Sequence, residues 1–529
     1  MFHSTGHGPS HAMRFAALLS ALTLAPAALA QRGVQINTDS QGRNIAGDAA
    51  NEPSFAVNPL NPLHMVVGWR EFPTINSDAR YAGVAVSLDG GLTWMNQGVV
   101  PPPPGAPSAQ QSDPVLAANA AGKFFYNSLL FRGEQLGVVV YPSDDGGFTW
   151  NAPSFIRTSS ADKNWYEIDQ LGGHHYSIWQ APGQFARSTD GGQTWSRWSM
   201  GASIFANISV GPDREVHMGW WEGTDGVKMR RSDNARDPGA MPTFTPEVTI
   251  PFGSMPWQPP VNPAGGCSQV NIATDHRDGP TRGWVYVLSS AVRQSDVCDV
   301  MFAYSTDGGQ TFSTPVRVND DASGQDYQWM AAMSMSPAGR LDATWLDTRD
   351  DPNHRLSRLY YSYSWDGGLT WSPNRAVDDS FDPRIGWPVQ QKIGDYFQSR
   401  SDNGSVGVIY PGTFNGEQDI YYQRLHPTVL EVSPLIAGQP ARFDVSEARP
   451  SERAWLVYSL AGPGHVNVGP LNVPVNLARP QLGLGPRTTD ALGNVSWTAM
   501  IPPQSRGRRV WFQAIQRENA SNVFEGVVQ

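Results

Sequence analysis

Charge and cysteine are scarce in this chain. Of its 529 residues only 16% are Asp, Glu, Lys or Arg, and cysteine occurs twice. Beyond residue 30 no apolar run is long enough to span a bilayer. A formal net charge of -10 on so few ionisable groups argues against a nucleic-acid binder, because phosphate binding draws on clustered Lys and Arg. It leaves room for an anionic ligand held by a local Arg cluster. Two cysteines are too few for a disulfide-built scaffold or a thiolate zinc site. The chain also lacks a P-loop, a Gly-x-Gly-x-x-Gly fingerprint, a His-Glu-x-x-His helix and a Gly-x-Ser-x-Gly elbow, which removes the commonest nucleotide, zinc-protease and serine-hydrolase readings.

Glycine (53), proline (43), tryptophan (19) and 11% aromatic residues are abundant, a composition of short strands and turns. The class is all-β, and the length suits a large repeat domain with a smaller one. The repeat is explicit: SLDGGLTW (Ser87 to Trp94), SDDGGFTW (Ser143 to Trp150), STDGGQTW (Ser188 to Trp195), STDGGQTF (Ser305 to Phe312) and SWDGGLTW (Ser364 to Trp371). In each, an Asp that can bond backbone amides and two Gly that tolerate positive φ make a tight turn, after which the aromatic opens a strand. Asp89, Asp145, Asp190, Asp307 and Asp366 are separated by 56, 45, 117 and 59 residues. The long gap holds a sixth, degenerate unit with strands EVHMGWW and GVKMRRS and with SDNARDPG in place of the phrase. A seventh begins near Gly394-Asp395-Tyr396 but lacks a fourth strand. VQINTDSQG (Val34 to Gly42) reads like the fourth strand VRVNDDASG (Val316 to Gly324), so the N-terminus is expected to complete the last unit and remove its exposed edge. Four antiparallel strands per period is a propeller blade. We expect a seven-bladed β-propeller over residues 31–426, with six blades as the alternative, and a β-sandwich accessory domain over 427–529.

The five phrases resemble the Asp-box, or bacterial neuraminidase repeat, of the sialidase-like β-propellers. The resemblance implies the fold more strongly than any reaction. It implies a secreted exo-glycosidase acting on terminal acidic sugars, working without a cofactor and as a monomer on a glycan or glycoconjugate. Two alternatives stand beside it: a non-catalytic glycan- or protein-binding propeller, and a polysaccharide lyase using His174, His175 or His354. The apolar stretch Phe15 to Ala30, after Arg14 and ending Ala-Leu-Ala, reads as a signal peptide (1–30), which places the protein outside the cytoplasm, secreted or periplasmic. In such a compartment Cys267 and Cys298 are expected to form a disulfide, with two buried thiols as the alternative.

In a four-stranded blade the Asp-box turn shares its end with the turn between strands one and two. Functional loops are therefore expected at the opposite end, where Glu52, Asp113, Asp162, Lys163, Asp326, Tyr327, Asp395 and Tyr396 precede or begin first strands. A sialidase holds its substrate carboxylate with several Arg and cleaves with a Tyr nucleophile, its Glu partner and a general acid. On that resemblance Arg70, Arg293 and Arg349 are candidates for the Arg cluster. Tyr327 or Tyr396 stands for the nucleophile, Glu222 for its partner, and Asp78 or Asp351 for the acid. The family's Phe-Arg-Ile-Pro motif is absent; Arg384-Ile385 is followed by Gly386. Asp-rich NDDASGQD (Asn319 to Asp326) and DTRDDPN (Asp347 to Asn353) have oxygen ligands for a structural calcium but no EF-hand spacing.

Overall fold

A computed structural model describes residues 33–529 apart from 133–134, 160, 181–182, 202–203, 214 and 268, with backbone alone at 132, 135 and 136. The expected signal peptide lies outside the described residues. Residues 34–425 form seven four-stranded antiparallel sheets. The first is a meander of Ala49–Asn58, Asn61–Phe72, Tyr81–Ser87 and Met95–Val99. Five more follow the same order, with first strands Gln110–Ala118, Asp162–Ile168, Ile204–Val210, Asn271–Thr274 and Gln328–Met335. The fourth of these six sheets is the unit without the phrase. The last sheet takes Gln398–Ser401, Val406–Gly412 and Asp419–Leu425 from one end of the repeat region and Val34–Gln35 from the other, with Val34 opposite Tyr422.

Each first strand packs beside the first strand of the next sheet, and Gln398–Ser401 returns to Ala49–Asn58. First strands are covered on both faces, which explains their dense apolar content; Ala49 to Ala56 are buried throughout. Fourth strands such as Met95–Val99 lie mostly in solvent and carry polar residues freely. The core is accordingly spread between sheets. One cluster joins Val138 and Phe125 to Trp179, Met218 and Tyr396 across neighbouring sheets.

The five phrases make one turn. In each, the Ser hydroxyl donates to the Asp Oδ1 over 2.7 to 2.9 Å, and the Thr amide and hydroxyl donate to the same carboxylate. At Asp190 and Asp307 burial raises the pKa, but these bonds outweigh it and hold the carboxyl near about 2. The second glycine has a further reason. Gly368 sits at φ +85° against Phe302 of the preceding sheet, where a Cβ would collide with the ring. Gly91, at φ +89°, meets Tyr422 of the last sheet in the same way, so the turn also fixes how closely neighbouring sheets approach. In the degenerate unit Asn234 replaces the Asp, and the Ser232 hydroxyl still donates to its Oδ1 at 3.2 Å.

Residues 429–527 form a three-stranded sheet (Val429–Val432, Pro440–Ser446, Val495–Met500) and a second sheet built on Arg453–Ser459 and Arg509–Gln516. Phe443 and Trp497 of one pack with Leu456 and Ala514 of the other. This region rests on the Asp-box end of the last two sheets. Tyr363 donates to the Glu447 carbonyl at 3.2 Å, Asn403 donates to the Asn472 carbonyl at 2.9 Å, and Arg449 lies over the Trp365 ring. No helix among the described residues is long and apolar enough to cross a membrane.

Candidate functional site

The first strands carry the same irregularity near their start. Register shifts fall between Asn51 and Ser54, Ser112 and Val115, Asp162 and Trp165, Ile204 and Asn207, and Trp329 and Ala332. The residue inside each bulge has positive φ: Glu52 (53°), Asp113 (48°), Lys163 (51°), Phe205 (51°) and Met330 (52°). Such a conformation costs a non-glycine residue of order 1–3 kcal/mol, and bulges of this kind re-aim a side chain. Here they turn three charged side chains into one cluster at the centre of the ring, at the end away from the Asp-boxes.

The cluster is an alternation of opposite charges. Arg70, at the end of the second strand of the first sheet, pairs with Glu52 at 3.0 Å and approaches Asp113 at 3.9 Å, while its Nε donates to Asn51 at 2.8 Å. Lys392 pairs with Glu52 at 3.1 Å and with Asp395 at 2.6 Å. Lys163 pairs with Asp395, stands 3.8 Å from Asp113 and lies over the Phe205 ring. Two Pro- and Gly-rich connections, residues 251–270 and 377–397, cover it from outside. They are tied together by Asn262, which donates to the Gly394 carbonyl at 2.8 Å, and by the Gly266 amide, which donates to Asp395 at 2.7 Å. Trp257 stands exposed on the first connection, its ring 6.1 Å from that of Phe205.

These environments split the carboxyl groups. Burial outweighs Arg70 and Lys392 at Glu52 and raises it to about 8. At Asp113 burial acts the same way, but Lys163 and Arg70 overcome it and bring the group to about 2. Asp395 is held well below the usual range because Lys163 and Lys392 outweigh its burial. Asp162, at the rim, is raised by burial. With Glu52 protonated, three cations face two committed anions at the core of an acidic protein. A proton-bearing carboxyl beside ionised ones, with surplus positive charge, is a constellation that can protonate a leaving oxygen and hold an anion.

Glu52, Asp113, Lys163 and Asp395 lie at the end where functional loops are expected, but of the residues given a catalytic or carboxylate-binding role only Arg70 and Tyr396 come to this cluster, and neither is free for that role. Arg70 is engaged by Glu52. Tyr396 is buried, its ring edge-on to Trp165, and its hydroxyl donates to the Pro114 carbonyl at 2.9 Å. The other two arginines are held elsewhere by their own carboxylates. Arg293 pairs with Asp299, and Arg349 pairs with Asp320 at 2.6 Å and Asp347 at 2.8 Å while lying over Tyr360. No shared Arg cluster forms from the three. Asp351 takes the backbone amides of Asn353, Arg355 and Leu356, bonds that bring it to about 2 and make it a loop organiser rather than a proton donor. Asp78 pairs with Arg80 in an exposed loop. Glu222 is exposed at the hairpin after Val216–Trp221. Tyr327 is half-buried beside Cys298, and burial raises its hydroxyl.

The expected disulfide is not formed. Cys267 and Cys298 are free thiols in one buried cluster, and Cys298 donates to the Gln328 carbonyl at 3.2 Å. Burial pushes both thiols far up, so neither is a thiolate. The Asp-rich stretches spend their carboxylates on Arg349 and on backbone amides, and the described residues contain no group of three or more His, Cys, Asp or Glu placed to hold a metal. His354 pairs with Asp326 at 2.6 Å, and the buried His175 takes the Tyr166 hydroxyl on Nδ1 at 2.6 Å. Lys392 escaped the sequence reading because it lies in an irregular connection with no repeat to place it. Glu52 and Asp113 had a local signal: a lone acid followed by proline at the same point of two otherwise apolar strands, NEPSF and SDPVL.

A family model for the BNR/Asp-box repeat matches residues 186–197. No curated protein matches the chain. Among solved structures, it is similar to a protein of unknown function from Dyadobacter fermentans (14% identity, 74% of this chain and 97% of that one, TM-score 0.38). It is also similar to the NanB sialidase of Streptococcus pneumoniae (12%, 75% and 70%, TM-score 0.39) and to an α-L-arabinanase of Penicillium chrysogenum (12%, 75% and 98%, TM-score 0.39). With the matched repeat and four further copies of the same hydrogen-bonded turn, the chain is a carrier of the BNR/Asp-box repeat.

Proposed function

We propose that this chain is a secreted, glycan-acting β-propeller of seven blades, closed by its N-terminal strand and followed by a β-sandwich module. Its reaction is hydrolysis of a glycoside bearing an acidic sugar. The observation that carries this reading is the division of Glu52 and Asp113, in one cluster, between about 8 and about 2. Glycoside hydrolysis needs one carboxyl that holds its proton at neutral pH and one that has lost it. Glu52 would protonate the leaving oxygen, Asp113 or Asp395 would supply the ionised partner, and Lys163 would face the substrate carboxylate once the two covering connections part. Trp257 offers an exposed aromatic face at the rim for a sugar ring.

The sialidase machinery of an Arg cluster with a Tyr nucleophile finds little support, because each Arg is already paired and the Tyr396 hydroxyl is spent on Pro114. The test is release of a fluorogenic aglycone from sialosides, glucuronides, galacturonides and arabinofuranosides. We expect turnover of an acidic glycoside, reduced at least 100-fold by Glu52→Gln or Asp113→Asn and by less than a few-fold in Tyr327→Phe. A larger loss in Tyr327→Phe or Tyr396→Phe than in Glu52→Gln would restore the sialidase assignment. The near-complete burial of all three acids favours a second reading, a glycan-binding propeller without catalysis. Absence of turnover on every substrate, with binding on a glycan array, would select it.

A further inference from the structure

The same first strands that carry the ionic cluster at their start line a cavity at their finish. It holds about 550 Å³ and is bounded by the last residues of these strands, including Asn207 to Val210, Asn271 to Thr274, Met333 to Met335 and Gln398 to Ser401. A second lobe of about 410 Å³ lies under the first two sheets. The two lobes share Glu167, Arg400 and Ser401. Both volumes fall in the range of small-molecule sites, roughly 300–1,000 Å³. This space opens toward the Asp-box end, opposite the cluster of the proposed reaction.

Glu167 and Arg400 are the two charged residues that both lobes share. Several buried charges of the ring are matched by a partner of opposite sign: Arg340 with Asp342 and Arg236 with Asp169 are examples. Among the described residues the Arg400 guanidinium has no salt bridge or side-chain hydrogen bond, and the Glu167 carboxyl is met by the Ile168 backbone amide and, through space, by Arg400; both residues are half-buried on the same cavity. Burial raises Glu167 despite the opposing field of Arg400. The Ser399 hydroxyl, on the cavity wall and 6% exposed, is buried with no partner. Trp165 closes one side of the first lobe. An unpaired guanidinium, a carboxyl biased toward its protonated form, an unsatisfied hydroxyl and an indole within one polar cavity match the parts of one ligand class: a carboxylate, ring hydroxyls and an apolar sugar face.

We propose that the channel cavity is a binding site for a small acidic sugar of the uronic acid type. Arg400 holds the carboxylate, Glu167 and Ser399 bond ring hydroxyls, and Trp165 packs against the ring. The site is separate from the Glu52 cluster and stands whether or not that cluster is catalytic. Calorimetric titration of the full chain with glucuronate, glucose and acetate tests it. Saturable glucuronate binding at least 10-fold tighter than that of glucose or acetate is expected, weakened at least 10-fold by Arg400→Gln, about 3-fold by Ser399→Ala, and changed less than 2-fold by Glu52→Gln. Arg400→Lys, which keeps the charge but not the planar fork, should weaken it to an intermediate degree and provides the reading should Arg400→Gln fail to fold by thermal denaturation. Equal affinity for glucose and glucuronate, or affinity unchanged in both Arg400 variants, overturns the proposal. So does loss of binding in Glu52→Gln with retention in Arg400→Lys, which would assign the sugar to the other end of the channel.

Discussion

Replacing Glu52 by glutamine separates two accounts of the central cluster. Geometry alone shows a buried carboxylate against Arg70 and Lys392, and breaking a buried pair from one side ordinarily costs about 3–5 kcal/mol. The raised pKa says otherwise. A carboxyl moved from 4.5 to about 8 is protonated in the fold at pH 6, and an amide of the same shape replaces it at small cost. The direction in pH follows from linkage. The folded state holds this proton more tightly than the unfolded chain, so its stabilisation is full below 4.5 and is lost as pH rises through about 8. At about 1.4 kcal/mol per pKa unit the loss approaches roughly 5 kcal/mol as an upper bound. Asp48 (about 8) and Glu71 (about 7), both raised chiefly by burial, slope the same way, so the informative quantity is the difference between the two proteins. Urea unfolding followed by tryptophan fluorescence from pH 5 to 9 should place Glu52→Gln within about 1 kcal/mol of wild type at pH 6 and several kcal/mol above it at pH 9. A deficit of about 3 kcal/mol or more at pH 6 that persists to pH 9 would refute the assignment of Glu52 as a proton carrier.

Three further outcomes follow from the structure. His217 and His175 are buried and depressed to about 3 and about 4, mainly by burial, so they stabilise the fold above pH 6.5 and that contribution disappears as pH falls toward those values. It is on the order of 5 kcal/mol at most for His217, and His217→Gln should flatten the acid limb of a thermal-unfolding profile. Gly368→Ala, at φ +85° against Phe302, should cost about 2–4 kcal/mol, whereas Gly173→Ala, at φ +69° in open space, should cost about 1 kcal/mol; equal losses in calorimetry would show that strain alone governs both sites. Thiol titration without reductant should find neither cysteine reactive in the native protein and both reactive in denaturant, while a disulfide would leave none in either condition.

Much of the sheet order was written locally. The Ser-x-Asp-Gly-Gly-x-Thr phrase is a turn whose hydrogen bonds close within eight residues, so its five copies mark five third-to-fourth strand turns with no knowledge of the rest. Its spacing located the unit where Asn234 stands in for the Asp, and the likeness of Val34 to Gly42 to Val316 to Gly324 pointed to the strand that pairs with Asp419–Leu425. The site is less legible because a charged loop residue looks the same in sequence whether it faces a ligand or a neighbouring carboxylate. Arg293, Arg349 and Asp351 were attractive as charged loop residues, yet short-range carboxylates and amides already claim them. Glu52, Asp113 and Lys163 were visible as charges at the start of first strands, but nothing local says that a bulge turns them inward.

What this sequence determines by itself is repetition: turn chemistry, strand alternation and unit length are properties of short segments. What only the tertiary structure decided is which charges meet. Glu52 and Lys392 lie 340 positions apart, and Lys163 and Asp395 lie 232 apart, yet ring closure brings them into contact. Burial and the Coulomb interaction depend on distance in space and on exclusion of water, so the same carboxyl chemistry gives a proton carrier at Glu52 and a fixed anion at Asp113.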